Sequence, residues 1–215
     1  MEQSQIRYSP SVFLGTVFSL LAATGVGHAQ SAACSAASPR AVGVSVGRVS
    51  PYLELPRASV DPDVRGSILV RGGVGLTGRG DLPIAGPWRA RVEASTETWR
   101  VERQTYGPDF QVSGIDTVGR FRVRQFVGMI GRQGGRSPVC GYVLGGGGIY
   151  ALEFRGTTIR RPGVAMTAGV EVPTGERGAV QADVRLHIIH TQGRYPVSSS
   201  DVLTASLSVG WSYRF

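Results

Sequence analysis

The stretch that decides the fold is the chain end LTASLSVGWSYRF at 203–215, in which apolar and small polar residues alternate. A repeat of two is the side-chain period of a β-strand and not of a helix. Such a strand separates two different solvents, one for each of its faces. The apolar face carries Leu203, Ala205, Leu207, Val209, Trp211, Tyr213 and Phe215.

Seven segments before this one alternate in the same way. Most reach the roughly 9–11 residues that a tilted strand needs to cross a bilayer, whereas strands of soluble proteins are more often about 5–6 residues long. The pattern predicts an all-β fold, a single eight-stranded antiparallel up-and-down transmembrane β-barrel. Its strands are predicted at about residues 41–50, 66–79, 88–103, 117–131, 139–155, 163–172, 179–191 and 202–215.

Composition excludes several other classes of protein. The 215 residues are 41% apolar, which is too much for a disordered chain. No apolar run after the first 30 residues reaches the roughly 18 residues of a membrane helix. The 23 basic residues, all arginine, give a net charge of +8 against 15 acidic ones. They alternate along strands and do not form one patch, so nucleic-acid binding is disfavoured.

The first residues have the three parts of a secretory signal. Arg7 precedes an apolar run over 12–26, and the small residues of Gly27-His28-Ala29 follow. We expect residues 1–29 to be a cleaved signal peptide and 30–40 to be a periplasmic lead. The barrel then comprises residues 41–215.

The alternating aromatic residues at the chain end resemble the assembly signal of bacterial outer-membrane β-barrels. Together with the export signal and eight strands, they make the chain resemble the small OmpA/OmpX-type barrels. The resemblance implies an outer-membrane location, contact with outer-membrane lipid and lipopolysaccharide, and a monomer. It also implies that the barrel-assembly machinery reads Trp211, Tyr213 and Phe215.

A membrane barrel turns apolar faces to lipid and pairs its charges inside. Two aromatic belts are expected, one with Trp88, Tyr142 and the aromatic chain end, the other with Phe121, Tyr150 and Phe154. In the fourth strand this rule sends Phe121, Val123, Val127 and Met129 outward. The structural charge network expected in the lumen comprises Arg71, Arg89, Arg91, Glu93, Glu97, Arg120, Arg122, Arg124, Glu153, Glu171, Asp183, Arg185 and His187.

Chemistry beyond that network has little support. An eight-stranded interior is only wide enough for side chains, and neither His187 nor His190 begins the His-x-Ser pattern of barrel deacylases. We expect no catalysis, cofactor or metal, and a structural or surface-interaction role. Arg155, Arg160 and Arg161 surround one loop and could contact lipopolysaccharide phosphate. The alternatives are a lipid A-modifying enzyme, a narrow pore and a soluble secreted barrel that holds an apolar ligand.

Two cysteines in an exported chain favour a disulfide between Cys34 and Cys140. We therefore expect a thiol titration of the unfolded, unreduced protein, isolated from its native compartment, to find no free cysteine. Reduced protein, which should give two thiols per chain, is the control. Two thiols in the unreduced sample would exclude the bridge.

Overall fold

The computed structural model describes five stretches of the chain. Residues 1–39, and with them the predicted signal peptide and almost all of the predicted lead, lie outside the described residues. Within the described part, no helix is long and apolar enough to span a membrane. The described residues are 40–52, 66–106, 111–136, 139–192 and 201–215.

Eight strands form one antiparallel sheet that closes into a barrel in sequence order. The predicted fold is confirmed, and each predicted strand is present. Several strands are longer than predicted: β2, β4 and β6 continue into segments that were expected to be connections. The strands are β1 (Ala41–Tyr52), β2 (Gly66–Pro83), β3 (Trp88–Tyr106), β4 (Val112–Arg136), β5 (Val139–Phe154), β6 (Thr157–Pro173), β7 (Gly178–His190) and β8 (Asp201–Arg214).

The first and last strands complete the ring. Their register runs from Ala41 opposite Arg214 to Tyr52 opposite Leu203. Next to the pair of Ala41 and Arg214, the amide of Phe215 donates to the carbonyl oxygen of Arg40 at 3.0 Å. Closure gives both edge strands a partner, which a sheet in lipid requires because no water is there to replace missing backbone hydrogen bonds.

The barrel has two ends, defined by its connections. We call the end with Arg40 and Phe215 the lower end and the opposite end the upper end. The turn between β5 and β6 lies at the upper end and has only two residues, Arg155 and Gly156, with φ of 48° and 80°. Positive φ at both central residues is the requirement of a type I′ hairpin, which glycine meets without strain.

The outer wall is apolar over its lower part. Side chains of every strand contribute, and in most strands they occupy alternate positions. Two tryptophans and the final phenylalanine lie exposed near the lower end, as the predicted lower belt requires. The large exposed apolar residues of this band include Val42, Val44, Val46, Leu76, Leu82, Trp88, Val92, Phe126, Ile130, Val139, Ile149, Val164, Val170, Val180, Val184, Ile188, Leu207, Val209, Trp211 and Phe215.

The interior of the upper part is also apolar, which contradicts the predicted orientation of β4. Phe121 is 0% exposed and stacks between Trp99, at 5.4 Å between ring centroids, and Phe154, at 5.7 Å. Val123 joins these rings in a cluster that we call the upper plug. Val127 and Met129 also point inward, but lower on β4, opposite Glu93 and Arg91. The arginines at 120, 122 and 124 point outward instead.

The prediction of a second aromatic belt is therefore wrong. Phe121, Tyr150 and Phe154 lie inside the barrel, and so does Tyr142, which was assigned to the lower belt. The physical reason is that the upper wall carries charge on its outer face and packs its apolar face inward, as a soluble barrel does. In the lower part of β4 both faces are apolar: Phe126 and Ile130 face outward, whereas Val127 and Met129, predicted to face outward, are buried inside.

We expect Phe121→Ala to cost about 3–5 kcal/mol of the free energy of unfolding, because it opens a cavity in the upper plug. Phe126→Ala on the same strand should cost clearly less, since Phe126 lies on the outer wall. Urea unfolding in detergent micelles measures both values. Equal losses, or a larger loss for Phe126→Ala, would contradict this orientation of β4.

Candidate functional site: the charged interior and the outer arginines

The lower interior is held together by carboxylates that each accept from several arginines. Asp81 is the most connected of them. Its carboxylate accepts from Arg91 Nε at 2.7 Å and lies 3.3 Å from Arg79 Nε and 3.8 Å from Arg89 Nη1. All four side chains are buried, so each charge depends on the others for compensation.

Glu171 ties the same cluster to the last strand. It accepts from Arg89 Nη1 at 3.2 Å and from the guanidinium of Arg214. Arg214 is the last residue of β8 and pairs in register with Ala41, so this contact lies at the seam that closes the barrel. The aromatic ring of Tyr142 lies under Arg91, 4.6 Å from the guanidinium carbon.

Arg185 connects this cluster to the opposite wall. Its Nε lies 2.8 Å from Asp183 and 3.7 Å from Glu93. Its Nη1 donates to Thr77 Oγ1 at 2.6 Å, and its Nη2 donates to Ser45 Oγ at 2.9 Å. Side chains from β1, β2, β3 and β7 thus meet at one guanidinium across the lumen.

Acidic and basic side chains are nearly equal in number inside the barrel. Among the described residues of the interior, the buried acidic members are Asp81, Glu93, Glu97, Glu171 and Asp183. The basic members are Arg79, Arg89, Arg91, Arg185 and the partly buried Arg214, and Arg161 on the inner face of β6 adds a sixth. These charges fill a space that has room only for side chains.

Further polar contacts lie between the arginine–carboxylate pairs and the upper plug. Tyr150 Oη and His187 Nδ1 are 2.9 Å apart, and both side chains are buried. Gln125 Nε2 donates to Glu97 at 3.3 Å. The interior is therefore occupied from the lower end to the upper plug.

Arginines reappear on the outer wall directly above the apolar band. Arg71 Nε lies 3.1 Å from Glu102, while Arg122 and Arg124 lie 3.9 and 3.5 Å from Glu153. These ion pairs are exposed. Exposed pairs of this kind contribute little to stability, typically about 0–1 kcal/mol.

Solved structures similar to this one are small bacterial barrels. The chain covers 97% of Neisserial surface protein A at 12% identity and a TM-score of 0.54, with 82% of this chain aligned. It covers 96% of the outer membrane protein OprG of Pseudomonas aeruginosa at 12% identity and a TM-score of 0.56, again with 82% aligned. It covers 90% of the outer membrane protein AlkL at 17% identity and a TM-score of 0.51, with 82% of this chain aligned.

The chain has the fold of the small outer-membrane β-barrel proteins. No protein-family model matches it, and no curated protein matches it in sequence. At 12–17% identity these likenesses concern the fold alone. This outer-membrane barrel fold and the apolar wall support the location that the sequence analysis predicts.

The structure divides the predicted lumen network into two groups. Eight members lie inside the barrel: Arg89, Arg91, Glu93, Glu97, Glu171, Asp183, Arg185 and His187. The prediction is wrong for the five that lie on the outer wall, namely Arg71, Arg120, Arg122, Arg124 and Glu153. These five belong to the upper part of the barrel, where the outer face is the polar one.

Three interior charges were missed: Arg79, Asp81 and Arg214. The signal for the first two was present, because Thr77, Arg79 and Asp81 alternate with residues of the outer face in β2. The predicted end of that strand at 79 excluded Asp81. Arg214 lies on the polar face of β8, but it was not included in the predicted network.

The predicted lipopolysaccharide contact of Arg155, Arg160 and Arg161 is not a single cluster. Arg161 shares the inner face of β6, whereas Arg160 is exposed on the outer face. Arg155 lies at the tip of the hairpin and donates to the carbonyl oxygen of Val118 at 3.5 Å. Adjacent strand residues point to opposite faces, so two neighbouring arginines cannot act on one side.

The remaining predicted residues are placed as follows. His190 is exposed on the outer wall, with Nδ1 2.9 Å from Asp201, and so does not meet His187. Within the described stretches, no group of three or more metal-ligating side chains comes together. Cys140 is buried on the inner face of β5, but Cys34 lies outside the described residues, so the disulfide stays a prediction. The assembly-signal role of the chain end also stays a prediction.

We expect Arg91→Leu to lower the free energy of unfolding by about 3–5 kcal/mol, because it leaves the buried carboxylate of Asp81 without its closest partner. Arg124→Leu is the matched control, and it should change stability by no more than about 1 kcal/mol, since Arg124 is exposed. Urea unfolding of the two variants in the same detergent makes the comparison. An Arg91→Leu variant as stable as the parent protein would show that the network is not structural.

Proposed function

We propose that this protein is a closed, non-catalytic barrel of the bacterial outer membrane that acts through its surface and not through its lumen. The observation that carries the proposal is the filled interior, with charged side chains below and the upper plug above. The predicted export signal and the lengths of the connections favour a lower end in the periplasm and an upper end at the cell surface: 84–87 and 174–177 at the lower end are short, and 53–65 and 191–200 at the upper end are long.

The outer wall favours a membrane over the soluble alternative. A soluble barrel that carries an apolar ligand would direct its apolar side chains inward and its charges outward. Here Val44 is 58% exposed on β1 and Leu207 is 62% exposed on β8, while the charged side chains of the lower part are inside. Such a wall is stable only when lipid covers it.

The interior disfavours the narrow pore. An ion path would need a continuous polar passage, but the stacked rings of Trp99, Phe121 and Phe154 occupy the upper interior. Below them, Asp81, Glu171 and Asp183 are paired with arginines, and Glu97 accepts from Gln125. Opening such a passage would require moving both layers.

The upper hairpin of β3 and β4 is the part of the barrel best suited to surface contacts. Its two strands stay paired from Arg100 opposite Arg120 to Tyr106 opposite Val112. The six residue-to-residue steps from Arg100 to Tyr106 correspond to about 20 Å along the strand. Val112 and Ile115 are large apolar residues exposed on this extension, above the arginines of the outer wall. Exposed apolar side chains in such a place favour contact with another molecule.

The histidines give little support to the runner-up, a lipid A-modifying enzyme. His187 is buried against Tyr150, and His190 lies on the outer wall beside Asp201. Nucleophile and base must lie within hydrogen-bond reach of each other in such enzymes. Mass spectrometry of lipid A from cells with and without the protein distinguishes the two functions, since an enzyme would change the mass of lipid A.

We expect the refolded protein to show no stable conductance steps in a planar lipid bilayer. A porin reconstituted in the same way is the positive control. Insertion of the protein itself is verified by its flotation with vesicles and by the shift in gel migration on boiling. Regular conductance steps from inserted protein would overturn the closed-barrel proposal, and recovery of the native protein in the soluble periplasmic fraction would overturn the membrane location.

A further inference from the structure

The outer wall of β4, β5 and β6 carries a pattern that neither the lumen network nor the upper plug explains. Three outward rows of side chains cross these strands. The uppermost contains Arg124, Ala151 and Arg160, which are register partners. Arg122 follows one step higher on β4, so three arginines surround the small side chain of Ala151.

The charge of this cluster is not compensated locally. Glu153 is its acidic neighbour, and it pairs with both Arg122 and Arg124. One carboxylate therefore faces two guanidinium groups, and Arg160 adds a third on the other side of Ala151. The side chain of Arg124 is 62% exposed even with this pair formed. Guanidinium groups of this kind form paired hydrogen bonds with phosphate oxygens.

The second row lies directly below the arginines and is apolar. Phe126, Ile149 and Pro162 are register partners across the same three strands, and all three are exposed. On β4 and β6 the step from arginine to apolar side chain is two residues. The boundary between headgroup and hydrocarbon therefore lies between these two rows.

The third row and the position beneath it form a depression in the wall. Gly128 and Gly147 are register partners, and Gly145 follows Gly147 on the outer face of β5. No heavy atom lies within 4 Å of the position that a side chain would occupy at Gly128 or at Gly145. Ile130 and Val164 border this space with exposed apolar side chains. The depression is about the width of one acyl chain, since it spans two strands spaced by about 5 Å.

We propose that this wall binds the phosphorylated glycolipid of the outer leaflet, lipid A, with its phosphate held by Arg122, Arg124 and Arg160 and an acyl chain in the depression formed by Gly128, Gly145 and Gly147. The inference rests on the outer-membrane location proposed above. Free phosphate would use only the arginines. A phospholipid also has acyl chains, but its phosphodiester carries one negative charge, whereas a phosphate monoester of lipid A carries up to two and so fits three arginines that share the single carboxylate of Glu153. Lipid A matches both features, because it combines phosphate at the membrane surface with several acyl chains.

The position of the boundary supports a glycolipid. Among the described residues, the upper edge of the apolar band on β4, β5 and β6 is marked by arginines and not by the tryptophans of the lower end. Arginines suit a leaflet whose surface is a dense layer of phosphate.

The test measures lipid binding to the full-length mature protein in detergent micelles by native mass spectrometry. The probes are hexa-acylated bisphosphorylated lipid A, the same lipid A after enzymatic removal of its phosphates, phosphatidylglycerol and inorganic phosphate. We expect the parent protein to retain phosphorylated lipid A in preference to the other three. The variant Arg124→Gln/Arg160→Gln should bind it about tenfold or more weakly, through loss of charge-assisted hydrogen bonds.

Two further variants separate the parts of the site. Arg48→Gln/Arg71→Gln removes the same charge from the outer wall of β1 and β2, two or more strands away from β4. It should leave lipid A binding within about twofold of the parent value, because exposed charges separated by about a Debye length or more are largely screened. A leucine side chain at position 128 would occupy the depression without meeting other atoms of the protein. Gly128→Leu should therefore weaken the binding of lipid A without changing the binding of inorganic phosphate. All variants alter the outer wall only, and the gel shift on boiling verifies their folding.

Three results would overturn the inference. These are equal retention of lipid A with and without phosphates, equal retention by the parent and the Arg124→Gln/Arg160→Gln variant, and competition by inorganic phosphate as strong as that by lipid A. Phosphatidylglycerol retained as well as lipid A would assign the wall to ordinary phospholipid and would equally reject it. If the protein is located in the outer membrane and does not conduct, such results reject the lipid A site alone and leave the proposed function intact.

Discussion

Closure of the sheet is the constraint on which the rest of this structure depends. In lipid, an unpaired backbone amide or carbonyl has no water to replace its partner, so the ring must join β1 to β8 along its full length. A ring of eight strands has a narrow interior. Every side chain that points inward must then be either packed or paired, and the contents of the lumen follow from that requirement.

The two halves of the barrel satisfy this requirement in opposite ways. In the lower half the outer wall is apolar, so the polar residues are inside, where carboxylates such as Asp81 and Glu171 each accept from more than one arginine. In the upper half the outer wall carries arginines, and the interior is filled by aromatic rings. The change occurs at one level, and that level marks the upper edge of the bilayer. The same alternating strand thus serves as a membrane strand below and as a strand of a soluble barrel above.

This change of environment connects the interior to the outer arginines. Arg122 and Arg124 follow the same alternation as the apolar residues below them on β4, and they point outward because Val123 and Phe121 occupy the inside. A wall that presents arginines above a depression lined by glycines has a polar and an apolar contact surface side by side. Under the proposed function, this wall and the extension of β3 and β4 are the surfaces through which the protein meets other molecules.

The sequence by itself determined that the chain forms eight strands, that the final one reaches the chain end, and that charges such as Arg89, Glu93 and Asp183 share one face of their strands. Strict alternation is sufficient for this, since it separates two faces without reference to other strands. Only the tertiary structure decided which face of β4 points inward, because both of its faces carry apolar residues and the answer depends on the height of each residue relative to the lipid. It also decided that Arg124 and Arg160 lie in one outward row on either side of Ala151, while Arg161 lies on the inner face. Such neighbours are set by the register between strands, and register is a property of the closed sheet and not of any one segment.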